Sequence, residues 1–102
     1  MYLYYTTFVV EDSENNWWAD WMKRHYLPTF FDIVPNASNE IYKVDGQPQN
    51  SGATTYSCQW RCHTIQELGL IQKYDKALSA KLMEQKGEKC LTFSTMMKGV
   101  EL

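Results

Sequence analysis

The chain has 102 residues, room for one domain and one core of ordinary size but not for two. Hydrophobic residues make up 44% and charged residues 22%, with only 5 Gly and 3 Pro, which excludes collagen-like, low-complexity and disordered classes. A formal charge of −2 argues against nucleic acid or an anionic membrane as partner, and no apolar run approaches the roughly 18–20 residues of a membrane span.

The first segment, Tyr2 to Val10, is rich in β-branched and aromatic residues and free of breakers, so it reads as a strand in the middle of a sheet. Glu11-Asp12-Ser13-Glu14 is an acidic helix start with Asp12 or Ser13 as N-cap. The helix that follows sets Trp17, Trp18, Trp21, Met22 and His25 on one stripe, with Asp20, Lys23 and Arg24 opposite. Pro28 disfavours helical geometry at Leu27, which predicts an end near Tyr26. Residues 29–39, interrupted by Pro35 and a polar run, read as a short packed turn and an irregular loop. Residues 40–44 alternate as a second, shorter strand, and residues 45–52 form a turn-rich hairpin loop.

The third strand alternates most clearly. Tyr56, Cys58, Trp60 and Cys62 share one face, and Thr55, Ser57, Gln59 and Arg61 the other. It leads into Thr64-Ile65-Gln66-Glu67, a capping box that opens a second helix. That helix carries Leu68, Ile71, Tyr74, Leu78 and Leu82 on one stripe and stops at Gly87. A last strand runs from Cys90 to about Val100.

Strand, helix, strand, strand, helix, strand with right-handed crossovers gives an α+β ferredoxin-like sandwich over residues 1–102: a four-stranded antiparallel sheet with two helices on one face. The helices cover one side of the sheet. The more apolar set, Tyr4, Thr6, Phe8 and Val10 with Tyr56, Cys58, Trp60 and Cys62, is assigned there. The open side then shows Leu3, Tyr5, Thr7, Val9, Thr55, Ser57, Gln59 and Arg61, together with Thr92, Ser94, Met96 and Lys98 from the last strand. Leu3, Tyr5, Val9 and Met96 form an apolar patch that suits a face-to-face homodimer. Tyr5, Thr7, Ser57, Gln59 and Arg61 would line a ligand cavity on that face, with Arg61 able to hold a carboxylate or phosphate. The competing reading leaves Arg61 at the sheet end, paired with an acidic neighbour across the dimer interface.

Three cysteines, Cys58, Cys62 and Cys90, cannot form a complete disulfide framework. On a strand, Cys58 and Cys62 lie about 13 Å apart. His63 then points to the other face, so Cys58, Cys62 and His63 do not make a zinc site and the thiols read as buried and reduced. No metal and no cofactor is expected. His25 reads as a core or boundary histidine, His63 as a turn contact, and the tryptophans as core. The N-terminus lacks the pattern of a signal peptide, which predicts a cytoplasmic protein.

Four stretches, residues 18–23, Tyr26-Leu27-Pro28, residues 56–60 and residues 87–97, carry a resemblance. The chain resembles a small bacterial family of domains of unknown function, about 100 residues long, in the dimeric α+β-barrel superfamily of ferredoxin-like folds. In that family a His or Tyr precedes an Ile-Pro pair; here Tyr26 holds that place, Leu27 replaces the isoleucine and His25 lies one residue earlier. The resemblance implies the fold and a homodimer. Distant superfamily members include cofactor-independent monooxygenases, lactone isomerases and haem-degrading enzymes. A homodimeric binding or interaction module is therefore the first functional expectation, and a small-molecule enzyme of monooxygenase or isomerase type, working on the open sheet face, is the alternative.

Overall fold

A computed structural model describes residues 1–45 and 52–102. Its elements are β1 (Tyr2–Glu11), α1 (Asn15–Trp21), a π-turn (Met22–Tyr26), α2 (Leu27–Ile33), β2 (Ser38–Lys43), β3 (Ala53–Cys62), α3 (Ile65–Lys86) and β4 (Cys90–Lys98). The strands form one antiparallel sheet in the order β2-β3-β1-β4, the ferredoxin-like order, with β1 and β3 paired along their whole length. The hairpin loop expected over residues 45–52 falls outside the described residues from 46 to 51. Its base is closed by the Val44 amide donating to the Thr55 carbonyl at 2.9 Å.

The capping box forms as its spacing requires. Glu67 N–H donates to Thr64 Oγ1 at 3.1 Å, and Glu67 Oε1 accepts from the amides of His63 and Thr64 at 3.1 and 3.2 Å. Two orphan amides at the start of α3 and one just before it are thereby satisfied. The other end stops at Gly87, whose φ of +55° a residue with a Cβ rarely adopts.

The first helical layer runs further than Pro28 predicts. Helical backbone continues from Asn15 to Ile33 through the π-turn, where the Leu27 amide bonds to the Met22 carbonyl five residues back. Proline has no N–H to donate and crowds the preceding turn, and the wider π-turn directly before it accommodates both. The buried residues Trp18, Met22, Tyr26, Phe30 and Val34 recur every four positions. A regular α-helix, at 3.6 residues per turn, would drift off the core with that spacing, and the extra residue in the π-turn returns Tyr26 and Phe30 to it. Tyr26 is therefore fully buried while His25, expected on the stripe, is exposed. Residues 29–33 are helix and β2 begins at Ser38, so the expected turn and loop over 29–39 shrink to the link between them.

The core lies between sheet and helices and is built on aromatic rings. Tyr56 stacks on Trp18 (centroids 4.3 Å apart), and Trp18 meets Phe8 at 5.3 Å. Phe8 takes Tyr26 edge-on at 5.6 Å, and Phe30 bridges Tyr26 and Trp60 at 4.7 and 5.0 Å. Burying one such side chain contributes about 1.5–3 kcal/mol, so these rings form the bulk of the core of a domain this small. Cys58, Cys62 and Cys90 are buried and unpaired.

One strand sits in the opposite phase from that expected. Tyr4 faces Met96, Thr6 faces Ser94 and Phe8 faces Thr92 across the β1–β4 ladder. Thr92, Ser94, Met96 and Lys98 thus share the helix-side phase, and Leu91, Phe93, Thr95 and Met97 lie on the open side.

Candidate functional site

The five sequence-nominated residues come together on the open sheet face. Tyr5 is directly opposite Gln59, Thr7 opposite Ser57, and Leu3 opposite Arg61, on the two central strands. Gln59 Nε2 donates to Ser57 Oγ at 3.3 Å, which ties two of the polar groups together. Arg61 is exposed and lies at the edge of this face, where it borders a recess of about 290 Å³ with Leu3, Met97 and Lys98. Tyr5, Thr7, Ser57 and Gln59 do not line that recess. Arg61 is in no ion pair among the described residues.

The reversed phase of β4 makes this face more apolar than the sequence reading allowed. Leu3, Tyr5 and Val9 on β1 are flanked by Leu91, Phe93 and Met97 on β4, and Tyr42 joins from β2 on the far side. Phe93 is 62% exposed, Tyr42 48% and Met97 44%. Large side chains this open on one sheet face are unusual for a surface meant only for water.

On the opposite face the structure holds a polar cluster that the sequence reading missed. Asp75 of α3 is 1% exposed, and hydroxyls converge on its carboxylate. Tyr4 donates to Oδ2 at 2.5 Å and Tyr26 to Oδ1 at 2.7 Å; Ser94 reaches Oδ2 at 2.7 Å and Thr6 reaches Oδ1 at 3.0 Å. Ser79, one turn along α3, adds a longer contact of 3.4 Å. Thr6 and Ser94 also lie 3.0 Å apart, and with one proton each they cannot bond one another while both serve Asp75. Burial, with the Asp75 hydrogen bond and charge adding to it, pushes the Tyr4 phenol above its ordinary range. Burial first and the Asp75 charge second do the same to Tyr26. The readable signal was a carboxylate four residues after Ile71 on the apolar stripe, where an acidic side chain needs partners, and a threonine in the buried phase of β1.

The thiols are poor nucleophiles here. Burial pushes Cys58 up to about 12 and Cys90 up to about 11, and raises Cys62 as well. Neither histidine lies on the open face: His25 borders a cleft between the helices, and His63 follows β3 at the entry to α3. Among the described residues no group of three or more His, Cys, Asp or Glu could hold a metal ion, and no helix is long and apolar enough to cross a membrane.

Among solved structures the chain is similar to the de novo designed protein Foldit4, with a TM-score of 0.67 and 7% identity over 97% of this chain and 98% of that one. It is also similar to the de novo designed protein LFR1 1, which has a ferredoxin fold, with a TM-score of 0.60 and 14% identity over 99% of this chain and 88% of that one. At such identities the likeness shows the fold alone. No curated protein matches the chain. One family model matches residues 1–100, and the chain belongs to that family, the domain of unknown function DUF4286.

Proposed function

We propose that this domain is a cytoplasmic homodimeric interaction module in which the open sheet faces of two copies pack together, with Tyr5, Thr7, Ser57, Gln59 and Arg61 lining the space between them. The observation that carries this reading is the uncovered apolar band of Leu3, Tyr5, Val9, Leu91, Phe93 and Met97. Three strands some 30 Å long and the shorter β2, at about 4.8 Å spacing, present roughly 500 Å² in projection, about two-thirds of one side of a standard interface. The face also carries Arg61 and Glu40, each outside any ion pair among the described residues, so a two-fold pairing can set one against the other. Three buried, unpaired thiols fit a reducing compartment.

The alternative, an enzyme of monooxygenase or isomerase type on the same face, has less support, because that face brings no histidine or reactive thiol to the Arg61 recess. The dimer is tested by light scattering on the purified chain and on Phe93→Glu. The expected result is twice the chain mass for the parent and a monomer for the variant, with the circular dichroism spectrum unchanged because Phe93 is already exposed. A monomeric parent, or a dimer insensitive to both Phe93→Glu and Met97→Glu, overturns the reading.

A further inference from the structure

We infer that the cleft between α1 and α3 is a binding site for a small aromatic carboxylate of one or two rings. This cleft is separate from the open sheet face; it measures about 430 Å³ and every residue lining it belongs to the helical layer. That volume is within the range of small-molecule pockets.

Its walls are two facing stripes. Trp17 and Trp21 come from α1, one turn apart, with nearly parallel rings 6.3 Å between centroids. Leu78 comes from α3 and is only partly buried, so apolar surface stays open to the cleft. Trp21 is itself buried, so the apolar surface open to the cleft comes from the partly buried Trp17 indole, backed by Trp21, and from Leu78, a pair that suits a planar ring.

The polar groups choose the sign of the ligand. Lys81 of α3 borders the cleft and is in no ion pair among the described residues. The one carboxylate in the wall, Asp20, already accepts from Arg24 Nε at 2.8 Å. Lys86 stands 4.4 Å from the centre of the Trp17 ring but is paired with Glu14 at 2.8 Å, which leaves Lys81 as the available cation of this wall. A ligand carboxylate thus finds an available ammonium, whereas a ligand cation would compete with Arg24 for Asp20.

The backbone supplies a second, independent observation. The π-turn Met22–Tyr26 lies in the helical run that forms this wall, and the extra residue that buries Tyr26 leaves His25 facing the cleft. The Thr29 hydroxyl donates to the His25 carbonyl at 2.8 Å, so this wall is held in shape just where Pro28 interrupts the helical bonding. Single π-turns inside helices concentrate at functional sites.

The test is a titration followed by NMR of the four indole N–H signals, with 1-naphthoate and its neutral analogue 1-naphthamide as probes. Trp17 and Trp21 signals are expected to move saturably with 1-naphthoate, with a Kd of about 1 mM or tighter. Trp18 and Trp60, which do not line the cleft, stay in place. The exposed-side-chain variant Lys81→Gln should weaken 1-naphthoate by about two- to fivefold, the worth of one exposed ion pair, and leave 1-naphthamide unchanged. Absence of a saturable shift at Trp17 and Trp21 overturns the site. Equal binding of the two probes by the parent chain, or equal weakening of both by Lys81→Gln, overturns the assignment of an anionic ligand.

Discussion

The phenol of Tyr26 donates to Asp75 Oδ1 at 2.7 Å, joining the π-turn of the first helical layer to the middle of α3 across 49 positions of sequence. The same carboxylate receives Tyr4 and Thr6 from the sheet, so one buried acidic group ties β1, the π-turn and α3 together. A carboxylate in an apolar interior is tolerable only with this many donors, and each donor is in turn held by the carboxylate.

Replacing Asp75 by Ala should therefore destabilise the domain by about 3 kcal/mol, because four or more hydroxyls lose their common acceptor in a buried space. Tyr26→Phe, which removes one donor and keeps the ring, should cost about 1.5–3 kcal/mol. Urea unfolding of both variants checks the ranking. A midpoint for Asp75→Ala equal to that of the parent would show the cluster to be without structural weight.

Alkaline pH should weaken the fold. Burial raises Cys58 from its ordinary 9.0 to about 12 and Cys90 to about 11, and Tyr4 and Tyr26 are raised too. A folded value above the unfolded one means that the unfolded chain loses its proton first. The stabilisation is complete below the unfolded thiol value near 9 and is lost as pH rises toward 11 and 12. The urea midpoint should thus be lower at about pH 10.5 than at about pH 7.5. Cys58→Ala should shrink that difference, whatever it does to stability at neutral pH. Equal midpoints at the two pH values for the parent chain would contradict the burial of these groups.

Gly87→Ala should cost about 1–3 kcal/mol through backbone strain alone. The residue has φ +55° and ψ −131°, and a Cβ built there meets no atom within 4 Å. Thermal unfolding of the variant separates this from a steric effect, since Gly87→Ser should lose about as much.

Thr64→Ala removes the acceptor for the Glu67 amide and half of the reciprocal pair at the start of α3. The expected loss is about 1 kcal/mol, or roughly 4–8 °C in Tm for a domain of this size. A variant that melts with the parent would mean that water replaces the cap without loss.

What could be read from the sequence was local. The alternation of Tyr56, Cys58, Trp60 and Cys62 placed β3 and its buried face, and Thr64, Glu67 and Gly87 bounded α3 at both ends, because caps and turns depend on residues within one turn of each other. The adjacency of Tyr5 with Gln59 and of Thr7 with Ser57 followed from the order of the strands, once two interleaved split units were assumed. Pro28 misled as a stop signal because a π-turn can absorb a proline, and no local rule announces one.

The phase of β4 was decided only in three dimensions. By local polarity Leu91, Phe93 and Met97 belong inside and Thr92 and Ser94 outside, yet pairing with β1 puts Ser94 beside Thr6. There its hydroxyl reaches Asp75, a residue 19 positions earlier that the helix pattern alone would leave unpartnered. The phase that brings Ser94 to the buried carboxylate necessarily turns Leu91, Phe93 and Met97 outward, because alternate residues of a strand cannot all face the same side. The amino-acid sequence by itself determined the strands, α3 and the order of the elements, but not the helical run that continues past Pro28. Only tertiary structure, by closing the Asp75 cluster, decided which side of the last strand faces outward and so what the open sheet face offers a partner.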